Sequence, residues 1–92
     1  MSAEITAVAD LLKENFPKTG QIRAFAFGSA VCANKTPNDI DIMIIYVDPT
    51  HPQQIRNILT GIGYTPVHLI FLTPEEEIET NFIEKQNCIS IL

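Results

Sequence analysis

Residues 27–42 read Phe27-Gly28-Ser29-Ala30-Val31-Cys32-Ala33-Asn34-Lys35-Thr36-Pro37-Asn38-Asp39-Ile40-Asp41-Ile42. A strand ends on a Gly-Ser pair, a short loop follows, and the chain re-enters a strand carrying two aspartates one residue apart. Side chains at i and i+2 of a strand point to one face, so Asp39 and Asp41 are expected to project together. Two like charges held that close repel unless a cation sits between them. Hard divalent cations such as Mg²⁺ take oxygen ligands, usually one or two carboxylates plus substrate phosphates. Gly28 permits close approach of backbone or ligand. Ser29 offers a hydroxyl and a main-chain N–H at the start of a helical turn, where an anion is favoured. One segment therefore supplies a phosphate end and a metal end.

Working outward, Ile22–Phe27 is the strand that runs into Gly28, and 29–33 forms one helical turn. Asn34–Asn38, with Pro37, is turn-like. Upstream, residues 3–16 predict an amphipathic helix, because Ile5, Val8, Ala9, Leu12 and Phe16 recur at helical spacing. Ser2 is its candidate N-cap, and Pro17 with Gly20 closes it. Downstream, Ile40–Val47 is apolar on both faces past the aspartates, the pattern of a central strand covered on both sides. Pro52 suits the first turn of the next helix. Ile55, Ile58, Leu59 and Ile62 give that helix a buried stripe, and Gly61 and Gly63 mark its end. Thr65–Leu72 predicts a third strand. Thr73-Pro74-Glu75-Glu76-Glu77 starts a helix with a cap, a proline and acids near the positive dipole end. Ile78, Phe82 and Ile83 are expected to face inward, with Asn87 ending the helix. Cys88–Leu92 reads as a short last strand.

Ninety-two residues make one domain at the small end of what folds alone. Hydrophobic residues are 46% and charged residues 18%, a globular composition. Six basic residues against eleven acidic ones give a net charge of −5. That balance suits a cation site and gives no strong signal for nucleic-acid binding, which relies on Lys and Arg. Cys32 and Cys88 are too few for a disulfide framework and read as reduced thiols. No signal-type segment and no apolar run of membrane-spanning length is present, so no membrane association and a cytoplasmic location are expected.

Gly28-Ser29, nine intervening residues and Asp39-Ile40-Asp41, set between two strands, resemble the signature of the DNA polymerase beta-like nucleotidyltransferase superfamily. Length and element order look most like its minimal nucleotidyltransferase (MNT) branch. The resemblance implies an α/β (α+β) fold: a small mixed sheet of three to four strands flanked by helices. It implies metal-dependent transfer of a nucleotide from ATP or another nucleoside triphosphate to a hydroxyl. Two metal ions would clamp the attacking and leaving oxygens. Gly28 and Ser29 would hold the terminal phosphates, and Asp39 and Asp41 would ligate Mg²⁺. The third carboxylate of such sites comes from the neighbouring strand, and here His68 fills that place. A histidine can act as general base near neutral pH. Imidazole is a poor ligand for Mg²⁺, which raises Mn²⁺ as the alternative. Ala30 and Val31 stand where relatives often carry a basic residue, leaving Lys35 as the nearby cation. The branch also resembles antitoxins encoded beside a helical HEPN-type partner, so the competing expectation is a catalytically reduced regulatory module in a toxin–antitoxin pair, or a homodimer.

Plainer readings stand beside these. An acidic pair just after a turn can be a solvated strand start. His68 can be merely hydrogen-bonded, and Lys35 an ordinary loop lysine. Tyr46 and Tyr64 fit packing better than base stacking. Glu75–Glu77 serve helix stability. His51, in a loop before Pro52, is expected to be exposed.

Overall fold

The computed structural model of the chain describes residues 3–18, 20–31, 39–60 and 66–92, without the side chains of Ser29 and Ala30. A four-stranded mixed sheet carries the architecture. Its elements in chain order are α1 (Ala3–Asn15), β1 (Ile22–Phe27), a 3₁₀ turn (Gly28–Val31), β2 (Ile40–Tyr46), α2 (His51–Leu59), β3 (Val67–Leu72), α3 (Pro74–Thr80), α4 (Phe82–Lys85) and β4 (Ile89–Ser90). The strand order is β3-β2-β1-β4. β2 runs antiparallel to β1 and parallel to β3, and β4 runs antiparallel to β1. The small α/β domain with a mixed sheet flanked by helices is thus present.

β2 is central because it has apolar side chains to bury on both faces. Ile40, Ile42 and Ile44 enter the main core with Ile5, Val8, Leu12 and Phe16, Ile55 and Leu59 of the α2 layer, and Ala24 and Ala26 of β1. Met43 and Ile45 point the other way and join Phe25 in a smaller cluster, which Phe82, Ile83 and Cys88 partly cover. Burying an aliphatic side chain of this size contributes about 1.5–3 kcal/mol. The small alanines at 24 and 26 let the helices approach the middle of the sheet. Asp41 interrupts this double burial at the start of β2, on the thinner side.

Helix α1 follows its periodicity. Ile5, Val8, Ala9 and Leu12 are buried, and Phe16 stays hydrogen-bonded to Leu12 by its backbone at 2.8 Å. The Ser2 cap lies outside the described residues, as do Gly61, Ile62, Gly63, Tyr64 and Thr65 around the expected end of α2 and start of β3. β3 is described from Val67, although the Pro66 carbonyl already accepts from Ile40 N at 2.9 Å. β2 ends at Tyr46, since Val47 is turned out to solvent.

Three expectations need correction. The helix beginning at Thr73 does not continue to Asn87. It starts with a complete capping box, in which Thr73 Oγ1 accepts from Glu76 N and Glu76 Oε1 accepts from Thr73 N. It then breaks at Asn81, which adopts φ 51° in the left-handed region that asparagine tolerates. Glu77 Oε2 accepts from Ile83 N at 3.1 Å across the break. The break re-aims the chain: Phe82 and Ile83 reach the sheet, but Ile78, expected inside, is 79% exposed. The final strand is shorter than Cys88–Leu92, with ladder pairing confined to Ile89 and Ser90. His51 is not exposed. Its side chain is 13% accessible, packs edge-on to Phe16 with centroids 4.9 Å apart, and faces Asp48 Oδ2 at 3.6 Å. The first turn of α2 lands on the end of α1, and that tertiary contact buries the ring.

Candidate metal centre

The site forms where three strands bring their ends together on the α3/α4 side of the sheet. Asp41 stands opposite Phe27 in the antiparallel ladder and beside His68 in the parallel one. Register partners share a face, so carboxylate, imidazole and phenyl ring all project to the same side. Asp39 lies one alternation before Asp41 and points there too. The His68 Nε2 is 3.3 Å from Asp39 Oδ2. One ligand atom from each of Asp39, Asp41 and His68 falls within 4.8 Å of the others. At an effective dielectric of about 20, two carboxylate charges at such a spacing repel by roughly 3 kcal/mol. A cation between the acids offsets that repulsion.

The geometry passes a simple test of fit. Oxygen and nitrogen ligands sit about 2.0–2.2 Å from a small divalent cation, so two ligands of one ion are at most about 4.4 Å apart. Rotation of the exposed His68 ring, 60% accessible, and of Asp39, 37% accessible, closes the difference. The Asp39–Asp41–His68 cluster can hold a metal ion.

Gly28 belongs to the same hollow. Its φ is +72°, and a Cβ there would stand 2.6 Å from Asp41 Oδ2. The turn after β1 therefore passes directly against the carboxylate, which only glycine permits. The backbone of Ser29 continues into the 3₁₀ turn. The Ser29 hydroxyl, all of Lys35 and Cys32 lie outside what the structure describes.

The phenyl ring of Phe27 was not singled out by sequence reasoning. It meets Phe82 edge-on, with centroids 5.1 Å apart, and forms an apolar wall beside Asp41. Strand alternation from Asp41 through its ladder partner was the signal that could have found it. Tyr46 packs edge-on to Phe71 at 6.3 Å, a packing role, and the Arg56 guanidinium lies over the Phe71 ring at 4.8 Å. Cys88 is half-buried; burial, then the charge of Glu77, pushes its thiol pKa up. Asp48 is held below the usual carboxylate range by the Thr50 backbone N–H, then by the Thr50 hydroxyl and by His51. No helix of the described residues is long and apolar enough to cross a membrane. No family model and no curated protein matches the chain.

Proposed function

We propose that the chain is a metal-dependent nucleotidyltransferase of the minimal branch of the DNA polymerase beta-like superfamily, moving a nucleotide from a nucleoside triphosphate to a hydroxyl acceptor. The observation that carries this reading is one hollow shared by Asp39, Asp41, His68 and the Gly28 turn. A bound divalent cation, Mg²⁺ or Mn²⁺, would neutralise phosphate charge and favour in-line displacement. Asp39 and Asp41 hold it from the sheet. Gly28, lacking a side chain, lets the turn lie against Asp41, and the backbone of this turn, Ser29 and Lys35 are the expected phosphate contacts. The acceptor oxygen bonds to the α-phosphorus, the bond from that phosphorus to the β-bridging oxygen breaks, and pyrophosphate leaves. His68, exposed at the mouth of the hollow, takes the hydroxyl proton. The Phe27–Phe82 wall excludes water from one side of Asp41.

A second reading has its own support. An imidazole stands where a third carboxylate is expected, and Ile70 and Ile78 are exposed on β3 and α3. These features suit a catalytically reduced, antitoxin-like module that pairs with a helical HEPN-type partner or with a second copy of itself.

Transfer of label from α-³²P nucleotides decides between them. The enzyme reading expects Mn²⁺- or Mg²⁺-dependent label on an acceptor that disappears in Asp39→Asn/Asp41→Asn. Label persisting in that double variant removes the hollow from the mechanism. Absence of label from wild type, with label appearing in His68→Asp, favours the reduced module.

A further inference from the structure

We infer that a cavity at the far end of β1 binds a small amphipathic anion, a molecule with a phosphate or carboxylate head on an apolar body. The cavity has a volume of about 420 Å³ and lies between the end of α1, the start of β1 and Leu92. Five residue steps separate Ile22 in its wall from Phe27 at the other end of β1, roughly 17 Å at about 3.3 Å per residue. It is therefore a second site, and its argument does not rest on the function proposed for the metal centre.

Two observations define the ligand. The first is charge. The chain carries only six Lys and Arg against eleven acids, yet three of the six, Lys13, Lys18 and Arg23, line this one cavity. None of the three makes an ion pair among the described residues, where the ion pairs are His51–Asp48 and His68–Asp39. The Arg23 guanidinium lies 5.0 Å over the Phe25 ring, on the face of β1 opposite Ile22, so Lys13 and Lys18 supply the cationic rim above the apolar floor. In a protein of net charge −5, the clustering makes a local positive field on an otherwise acidic surface. The second observation is the floor. Phe16 and Ile22 are almost fully buried and Leu92 is half-buried, so the cavity is apolar beneath a cationic rim. Ligand cavities of a few hundred Å³ with apolar walls and few convergent polar groups are the usual form of a small-molecule site. A bare anion would leave the floor unused, and a neutral apolar molecule would leave the rim unused.

The test is an amide-shift titration of the full chain in EDTA, which keeps the metal centre out of play. The probes are phenyl phosphate, benzoate, inorganic phosphate and benzyl alcohol. Saturable shifts of Gly20, Ile22 and Leu92 are expected with phenyl phosphate or benzoate, and the tighter of the two identifies the head group. Inorganic phosphate and benzyl alcohol should each bind at least about tenfold more weakly, since each makes half of the contacts. Lys13→Gln/Lys18→Gln, two exposed changes that leave the Arg23–Phe25 stack intact, should weaken phenyl phosphate about fivefold at low salt. That difference should shrink as added salt screens the rim. Unchanged affinity in the double variant, equal affinity for inorganic phosphate, absence of saturation, or shifts confined to Gly28, Asp41 and His68 would each overturn the assignment.

Discussion

Replacing Gly28 by alanine separates two consequences of one methyl group. The first is backbone strain. Gly28 has φ +72°, and a residue with a Cβ in that region costs about 1–2 kcal/mol. For a domain of this size each kcal/mol lowers Tm by roughly 4–8 °C, so Gly28→Ala should melt roughly 4–16 °C below wild type. The second consequence falls on the site. The new methyl would sit 2.6 Å from Asp41 Oδ2, closer than the two atoms can stand. A carboxylate oxygen is the free end of a short side chain, so Asp41 can rotate away at small cost in stability. It then leaves the arrangement it shares with Asp39 and His68, and Mn²⁺ affinity should fall about tenfold or more. Thermal melts and titration calorimetry measure the two effects separately. Asp41→Ala supplies the control: in that background Gly28→Ala should still lower Tm by the backbone term and should have no further effect on metal binding. A Gly28→Ala protein that binds Mn²⁺ as wild type does would falsify the shared hollow. One whose Tm is unchanged would show that the turn does not hold its left-handed conformation.

Further outcomes follow from particular contacts. Calorimetry should find Mn²⁺ bound more tightly than Mg²⁺ by wild type, because imidazole favours the softer ion; His68→Asp should raise Mg²⁺ affinity about tenfold, and a wild-type preference for Mg²⁺ discards His68 as a ligand. Ile44→Ala removes a fully buried side chain from the middle of β2 and should cost about 2–5 kcal/mol in urea unfolding, with metal affinity per folded molecule unchanged. Because Thr50 hydrogen bonds lower the Asp48 pKa, this carboxylate contributes stability that is present above its unfolded value near 3.9 and is lost as pH falls through the folded value. Thr50→Ala deletes the hydroxyl donor, so the Asp48 midpoint read by carboxyl ¹³C NMR should rise; an unmoved midpoint contradicts the assigned cause.

The parts of the fold that could be read from the sequence are those set by short periods. Alternation in Ile40–Val47 gave a strand with two apolar faces and placed both aspartates on one of them, and the 3.6-residue period gave the buried stripe of α1. The same alternation in Val67-His68-Leu69-Ile70 puts His68 on the Asp41 face once β3 lies parallel to β2. What could not be read was set by contacts between distant segments or by a single dihedral angle. His51 looks solvent-bound from its neighbours Pro49 and Pro52, and only its meeting with Phe16 buries it. Asn81 sits in a stretch of glutamates with good helix propensity, and nothing local announces that it will turn left-handed. The Glu77 carboxylate that accepts from Ile83 N lies on the far side of that break, so the stabilising group belongs to a different helix from the one it caps. Missing that break misplaced Ile78.

The break at Asn81 also bears on the chemistry. A continuous helix from Pro74 would follow one stripe of side chains along the sheet, and Ile78 would be the residue pressed against it. The kink instead sends Phe82 to Phe27, immediately beside the acid pair, and leaves Ile78 in water. The site thus gains its apolar wall at the expense of a larger core on that face, where the buried set among the described residues is Phe25, Met43 and Ile45. A carboxylate beside such a wall is partly shielded from solvent, and shielding strengthens its attraction for a cation. The wall does not extend to His68 or Asp39, which stay open to solvent. Both acids are partly buried and share their face with His68, the arrangement in which one metal ion could meet all three.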